Sequence, residues 1–194
     1  PVERPSLVGI SIGGAAALGV AMDAADAIRS LVLVDSYGLR DAVPGGGAAY
    51  LLANAPFART IGQRIAGATP GGARAAIAPV VADPADLAQP FLSAVSERLD
   101  DPAAGRAFVA FQRAEVSPDG VRTHFENRLG DLDVRTLVVN GASDPVIPLS
   151  WAEEAARTMP RGRLSVIEEC GHWPPRERPD AFLETVEPFL AGAG

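Results

Sequence analysis

Gly9-Ile10-Ser11-Ile12-Gly13 sets a serine between two glycines at G-x-S-x-G spacing. A serine hydroxyl is a poor nucleophile until a base takes its proton, and the base needs a third group to orient it. The chain holds two histidines, His124 and His172. His172 lies in Cys170-Gly171-His172-Trp173-Pro174, just beyond an apolar run at 164–167. A loop at the C-terminal end of a strand is where open α/β sheets gather their sites, so His172 is the favoured base. His124 lies in a polar stretch, 122–128, and reads as a surface or lobe residue. The orienting acid is expected between serine and histidine in chain order. Asp144 stands there, in Asn140-Gly141-Ala142-Ser143-Asp144-Pro145, just past another apolar run. Asp35, at the end of the run 31–34, is its rival at the same sheet edge. Such a set performs nucleophilic acyl transfer, with the Ile12 N–H as a donor to the developing oxyanion. Neither a metal nor a cofactor is called for.

These groups need a frame. Ser6–Ile10 is a short apolar run opened by Pro5 and reads as a buried strand. Residues 15–22 are almost wholly small and apolar, which predicts a helix without an exposed face. The serine then sits on a sharp strand-to-helix turn, and bulk at either flanking glycine is expected to clash there. Leu31–Val34, Thr136–Val139 and Leu164–Ile167 are further continuous apolar strands. Strands apolar on both faces, alternating with helical stretches, predict an α/β fold with a mostly parallel sheet covered on both sides. Helices are expected over Trp151–Met159 and Arg178–Leu190, the second kinked or ended early by Pro188.

Residues 36–135 are far too long for a connecting loop. Their apolar residues fall in helical groupings at 48–66, 72–81, 85–99 and 103–116, with Asp83-Pro84 and Asp101-Pro102 as helix starts. The segment therefore reads as a helical lobe inserted between strands. The organisation is core at 1–36, lobe at 37–116 and core again at 117–194.

Composition removes other chemistries. All 17 basic residues are arginine, so no lysine Schiff base and no phosphate-loop lysine is available; the Gly67–Arg74 stretch only echoes such a loop. Two histidines and one cysteine make a zinc cluster a poor reading. A lone thiol cannot close an intrachain disulfide, which fits a reducing cytoplasm. A net charge of −7 disfavours nucleic acid and anionic membranes as partners, leaving a small-molecule substrate. Arginine without lysine, beside abundant alanine, points to a GC-rich bacterial genome.

Taken in order, the strand, Gly9-x-Ser11-x-Gly13, a long helical insertion, Asp144 and His172 resemble the second part of an α/β-hydrolase with a cap domain. The resemblance implies Ser11 as nucleophile, Asp144 as orienting acid, His172 as general base and the lobe as a cap. Val146-Ile147-Pro148-Leu149 and Cys170-Gly171-His172-Trp173 are similar to the meta-cleavage-product hydrolases, with related esterases and lactonases close by. That implies an ester, lactone or carbon–carbon bond as the target. Trp173 either lines the pocket or packs beside the histidine loop, while Tyr37, Phe108 and Phe111 are candidates to choose the substrate. The resemblance also implies that four strands and the loop carrying a second oxyanion donor are missing before Pro1. The edge of Ser6–Ile10 is then expected to be bare, open to pairing or homodimer formation, and the fragment by itself is expected to be catalytically impaired.

Overall fold

The computed structural model describes residues 3–42, 71–99, 101, 106–117 and 120–192. Four strands, β1 (Ser6–Ile10), β2 (Ser30–Val34), β5 (Thr136–Gly141) and β6 (Gly162–Ile167), form a parallel sheet in the order β1-β2-β5-β6. Between β2 and β5, the pair β3 (Val116–Ser117) and β4 (Gly120–Val121) makes a small antiparallel hairpin.

Alternation along the central strands divides their apolar side chains between two layers. Leu31, Leu33 and Val138 point to one face, where Leu18, Ala21, Ala152, Ala155 and Met159 cover them. Those residues belong to α1 (Ile12–Asp23) and to the helix Leu149–Thr158 with its C-cap. Val32, Val34, Leu137 and Val139 point to the other face, onto Val186 and Phe189 of the helix Pro179–Ala191. Coverage on both faces thus holds for β2 and β5, which are buried along their whole length.

Three expectations fail in instructive ways. β1 is not buried: Val8 is 51% exposed and Ile10 36%. It stands at the sheet edge, and only its inner face is packed against α1. For the same reason α1 leaves Ile12 and Val20 exposed, although its composition suggested burial all round. Pro188 does not end the last helix, which runs on to Ala191 and closes at Gly192 with φ 88°. Its last turn is held because Arg135 donates to the Phe189 carbonyl (2.6 Å) and Arg29 to that of Leu190 (2.8 Å).

The inserted segment carries helices at Gly72–Ile77, Gln89–Leu99 and Arg106–Glu115. Its grouping at 48–66 and the start at Asp101-Pro102 lie outside the described residues. Asp83 caps as expected, accepting from the Ala85 N–H at 2.8 Å, but it caps a single 3-10 turn (Pro84–Asp86). The α-helix begins only at Gln89, because Pro90 fits the first turn and not an interior one. Ile77, Val81, Leu87 and Leu92 form a small core of their own, with Phe91, Val95 and Trp173 packed against it. Among the described residues no helix is long and apolar enough to cross a membrane.

Candidate active site

Ser11 caps the start of α1 with φ 51° and ψ −121°, a strained conformation for a residue with a side chain. The turn is pinned from both ends. Its N–H donates to the Val34 carbonyl (2.9 Å), and its carbonyl accepts from the N–H groups of Gly14 (2.9 Å) and Tyr37 (3.0 Å). A Cβ on Gly9 would lie 2.3 Å from the Gly13 carbonyl oxygen, so the first glycine of the motif is sterically required. The second is not: a Cβ on Gly13 meets nothing within 4 Å. The crowded position is Gly14, where a Cβ would lie 2.2 Å from Ser36 Oγ. Ile12 opens the helix, so its N–H has no acceptor within the helix and is available beside the hydroxyl.

Asp144 follows β5 and His172 follows β6. His172 Nε2 lies 2.9 Å from Ser11 Oγ, and Nδ1 lies 2.8 Å from Asp144 Oδ2. The other oxygen of Asp144 accepts from the N–H groups of Val146 (2.7 Å) and Ile147 (3.1 Å). Backbone donors thus fix the carboxylate, and the carboxylate fixes the ring. The two loops can meet because Gly141 lacks a side chain: a Cβ there would lie 2.1 Å from the Gly171 carbonyl oxygen. Ser143 N–H closes the contact on the Cys170 carbonyl at 2.9 Å.

The rivals fall elsewhere. His124 Nε2 faces Asp41 Oδ2 at 3.7 Å. Asp35 is fully buried beside Asp144, with Oδ1 accepting from the Gly141 N–H at 2.9 Å and Oδ2 without a hydrogen-bond partner among the described residues. Burial, and then the neighbouring Asp144 charge, push its carboxyl up to about 9, so it is protonated at neutral pH. Oxygens of Asp35 and Asp144 and a ring nitrogen of His172 lie within 4.8 Å of one another, a spacing that could hold a cation. Both oxygens of Asp144 are already engaged, one by backbone N–H groups and the other by the imidazole. Burial also pushes the Cys170 thiol up to about 12, which keeps it an inert core group.

Trp173 packs edge-on to Phe91 at 5.7 Å, which favours the packing role of the two weighed for it. Tyr37 contacts Phe111 edge-on at 5.8 Å, and its hydroxyl donates to Glu115 Oε2 at 3.4 Å. Burial and the Glu115 charge push its phenol above the ordinary tyrosine range. The side chain of Phe108 lies outside the described residues.

One residue escaped the sequence reading. Glu177 is 5% exposed, yet none of the ion pairs among the described residues includes it. Its carboxylate accepts from the N–H groups of Gly171 (2.9 Å), Trp173 (2.9 Å) and Ala82 (2.7 Å). A glutamate in an arginine-rich stretch looks like a solvated charge, and only the pair Pro174-Pro175 hints otherwise. Those prolines begin the short helix Pro174–Glu177 without N–H groups, which frees the carboxylate for the loop before it.

Known proteins similar to this chain are numerous. The 2-hydroxy-6-oxo-6-phenylhexa-2,4-dienoate hydrolase of Comamonas testosteroni is 28% identical over 193 residues, which are 97% of this chain and 63% of that protein. A meta-cleavage product hydrolase from Pseudomonas fluorescens IP01 superposes with a TM-score of 0.72 at 24% identity, over 100% of this chain and 66% of that one. A thermophilic esterase from Thermogutta terrifontis superposes with a TM-score of 0.68 at 26% identity, over 98% of this chain and 65% of that one. The chain thus spans somewhat under two thirds of the length of the first of these relatives. Residues 1–185 match the model of the Alpha/beta hydrolase family, and the chain belongs to that family.

Proposed function

We propose that this chain is a serine hydrolase in which Ser11, His172 and Asp144 carry out nucleophilic acyl transfer. The observation that carries the reading is a single imidazole bonded on one side to Ser11 Oγ at 2.9 Å and on the other to Asp144 at 2.8 Å. His172 takes the Ser11 proton as the hydroxyl oxygen attacks a carbonyl carbon. The oxyanion is stabilised by the Ile12 N–H at the start of α1. His172 then protonates the leaving group, and water activated by the same ring releases the acyl group and restores Ser11. In this reading residues 1–36 and 117–194 form the core and 37–116 the cap.

The substrate is a small organic ester, lactone or vinylogous ketone, the last suggested by relatives named as hydrolases of 2-hydroxy-6-oxo-dienoates. Carbon–carbon cleavage adds one requirement: the leaving carbanion must be stabilised by a prior proton shift in the substrate. A second reading, that these residues act only with further chain, is favoured by the 63% coverage of the Comamonas relative. The test is labelling by a fluorophosphonate probe and turnover of a short-chain nitrophenyl ester, with Ser11→Ala as control. Labelling that depends on Ser11 supports the first reading. A folded chain that neither labels nor turns over ester overturns it and leaves the second.

A further inference from the structure

We propose that Glu177 is a positioning residue, whose buried carboxylate holds the His172 loop in register with Ser11 and ties that loop to the turn at 80–82. The inference rests on the proposed catalytic role of His172. Its geometry stands independently of that role.

The carboxylate grips the loop on both sides of the histidine, at Gly171 N–H and Trp173 N–H. Its third bond, to Ala82 N–H, reaches a different part of the chain. His172 adds a fourth tie, its own N–H donating to the Val80 carbonyl at 2.9 Å. The approach is closed to any residue larger than glycine at 171, since a Cβ there would lie 2.6 Å from Ala82 N and 2.7 Å from Val81 Cα. The histidine loop and the 80–82 turn therefore meet backbone to backbone, and Glu177 caps the seam. A buried carboxylate bonded to N–H donors costs heavily if those donors lose it, because they remain buried.

The consequence for chemistry is positional. The ring of His172 has to satisfy two short bonds at once, and a shift of about 1 Å in such a group costs on the order of 10²-fold in rate. Because Ala82 belongs to the inserted segment, movement of that segment is felt at the general base through Glu177.

The test compares Glu177→Gln with the unaltered chain. Glutamine offers one acceptor oxygen and turns an N–H donor toward the loop, so the three donors cannot all be met. Backbone hydrogen exchange at Gly171, Trp173 and Ala82 is expected to speed up about tenfold or more, with protection elsewhere retained. Ester kcat is expected to fall on the order of 10²-fold with KM within about twofold. Met159→Ala, which loosens the layer on the face of the sheet away from Cys170, serves as the control for general loss of stability and is expected to keep kcat. Should Glu177→Gln not fold, Glu177→Asp keeps the charge one methylene short and is expected to show the same pattern. Unchanged exchange at Gly171 and Trp173 overturns the proposal whatever the chain's activity. In an active chain, kcat within twofold of the parent overturns it too. A chain with no Ser11-dependent turnover sinks the proposed function instead, and the exchange data then decide the seam alone.

Discussion

The side chain of Ser36 occupies the space that a Cβ on Gly14 would need, with Ser36 Oγ 2.2 Å from that point. Close approach of α1 to the turn after β2 is what brings Ser11 and Tyr37 into backbone contact. Gly14→Ala is therefore expected to destabilise the protein by about 1–3 kcal/mol, as overpacking generally does, and to slow Ser11 labelling. Gly13→Ala meets no obstacle and is expected to be neutral or to stabilise by up to about 1 kcal/mol. Thermal denaturation of the two variants side by side checks both; equal effects would contradict the contrast.

Asp144 and Asp35 differ in what they hold. Asp144→Asn keeps the shape but offers the ring a donor in place of an acceptor, and kcat is expected to fall on the order of 10⁴-fold. Asp35→Asn replaces a carboxyl already protonated at neutral pH and is expected to leave kcat within a few-fold at pH 7. Steady-state ester hydrolysis by the two variants decides which carboxyl orients His172.

The same carboxyl makes stability depend on pH. Its value rises from 3.8 to about 9 on folding, so across that window the folded chain holds a proton that the unfolded chain has released. Stability must then fall as pH rises between those limits, on the order of 1 kcal/mol per pH unit at most. Asp35→Asn removes this loss. Melting temperatures of parent and variant are expected to lie closest near pH 4 and to diverge steadily toward pH 9, with the variant higher. Parallel curves would show that Asp35 is ionised in the folded state.

Trp173 joins the histidine loop to the small core of Ile77, Val81, Leu87 and Leu92. Trp173→Ala is expected to cost about 2–3 kcal/mol, less than a fully buried tryptophan because the residue is half-buried. Hydrogen exchange is expected to rise first in 72–99, before the sheet is affected. An unchanged melting temperature with an altered ester KM would place the ring in the substrate site instead.

Much of this site could be read from the residues in order. The apolar runs of β2 and β5 announce strands covered on both faces, and each ends where a polar residue is needed. Apolarity does not say which strand stands at the edge; it was the family resemblance, not the run itself, that left the edge of β1 bare, and β1 does stand at the sheet edge. Chain order favoured Asp144 over its rival Asp35 but could not show what would bring it to the imidazole. That depended on the N–H groups of Val146 and Ile147 turning Asp144 into place. The motif suggested that both of its glycines are needed, whereas the steric demand falls on Gly9 and Gly14. Glu177 was invisible because its partners are backbone N–H groups, which every stretch of sequence supplies.

The bond between His172 and Ser11 joins residues 161 positions apart, across a sheet whose strands are all parallel and so cannot form by local hairpins. Secondary structure can appear early in folding, but the Ser11–His172 pair on which the proposed reactivity depends cannot form until the whole sheet has closed. Probe reactivity is therefore a clock for the last step of assembly, and it should lag behind the recovery of helical circular dichroism when the chain is refolded from denaturant.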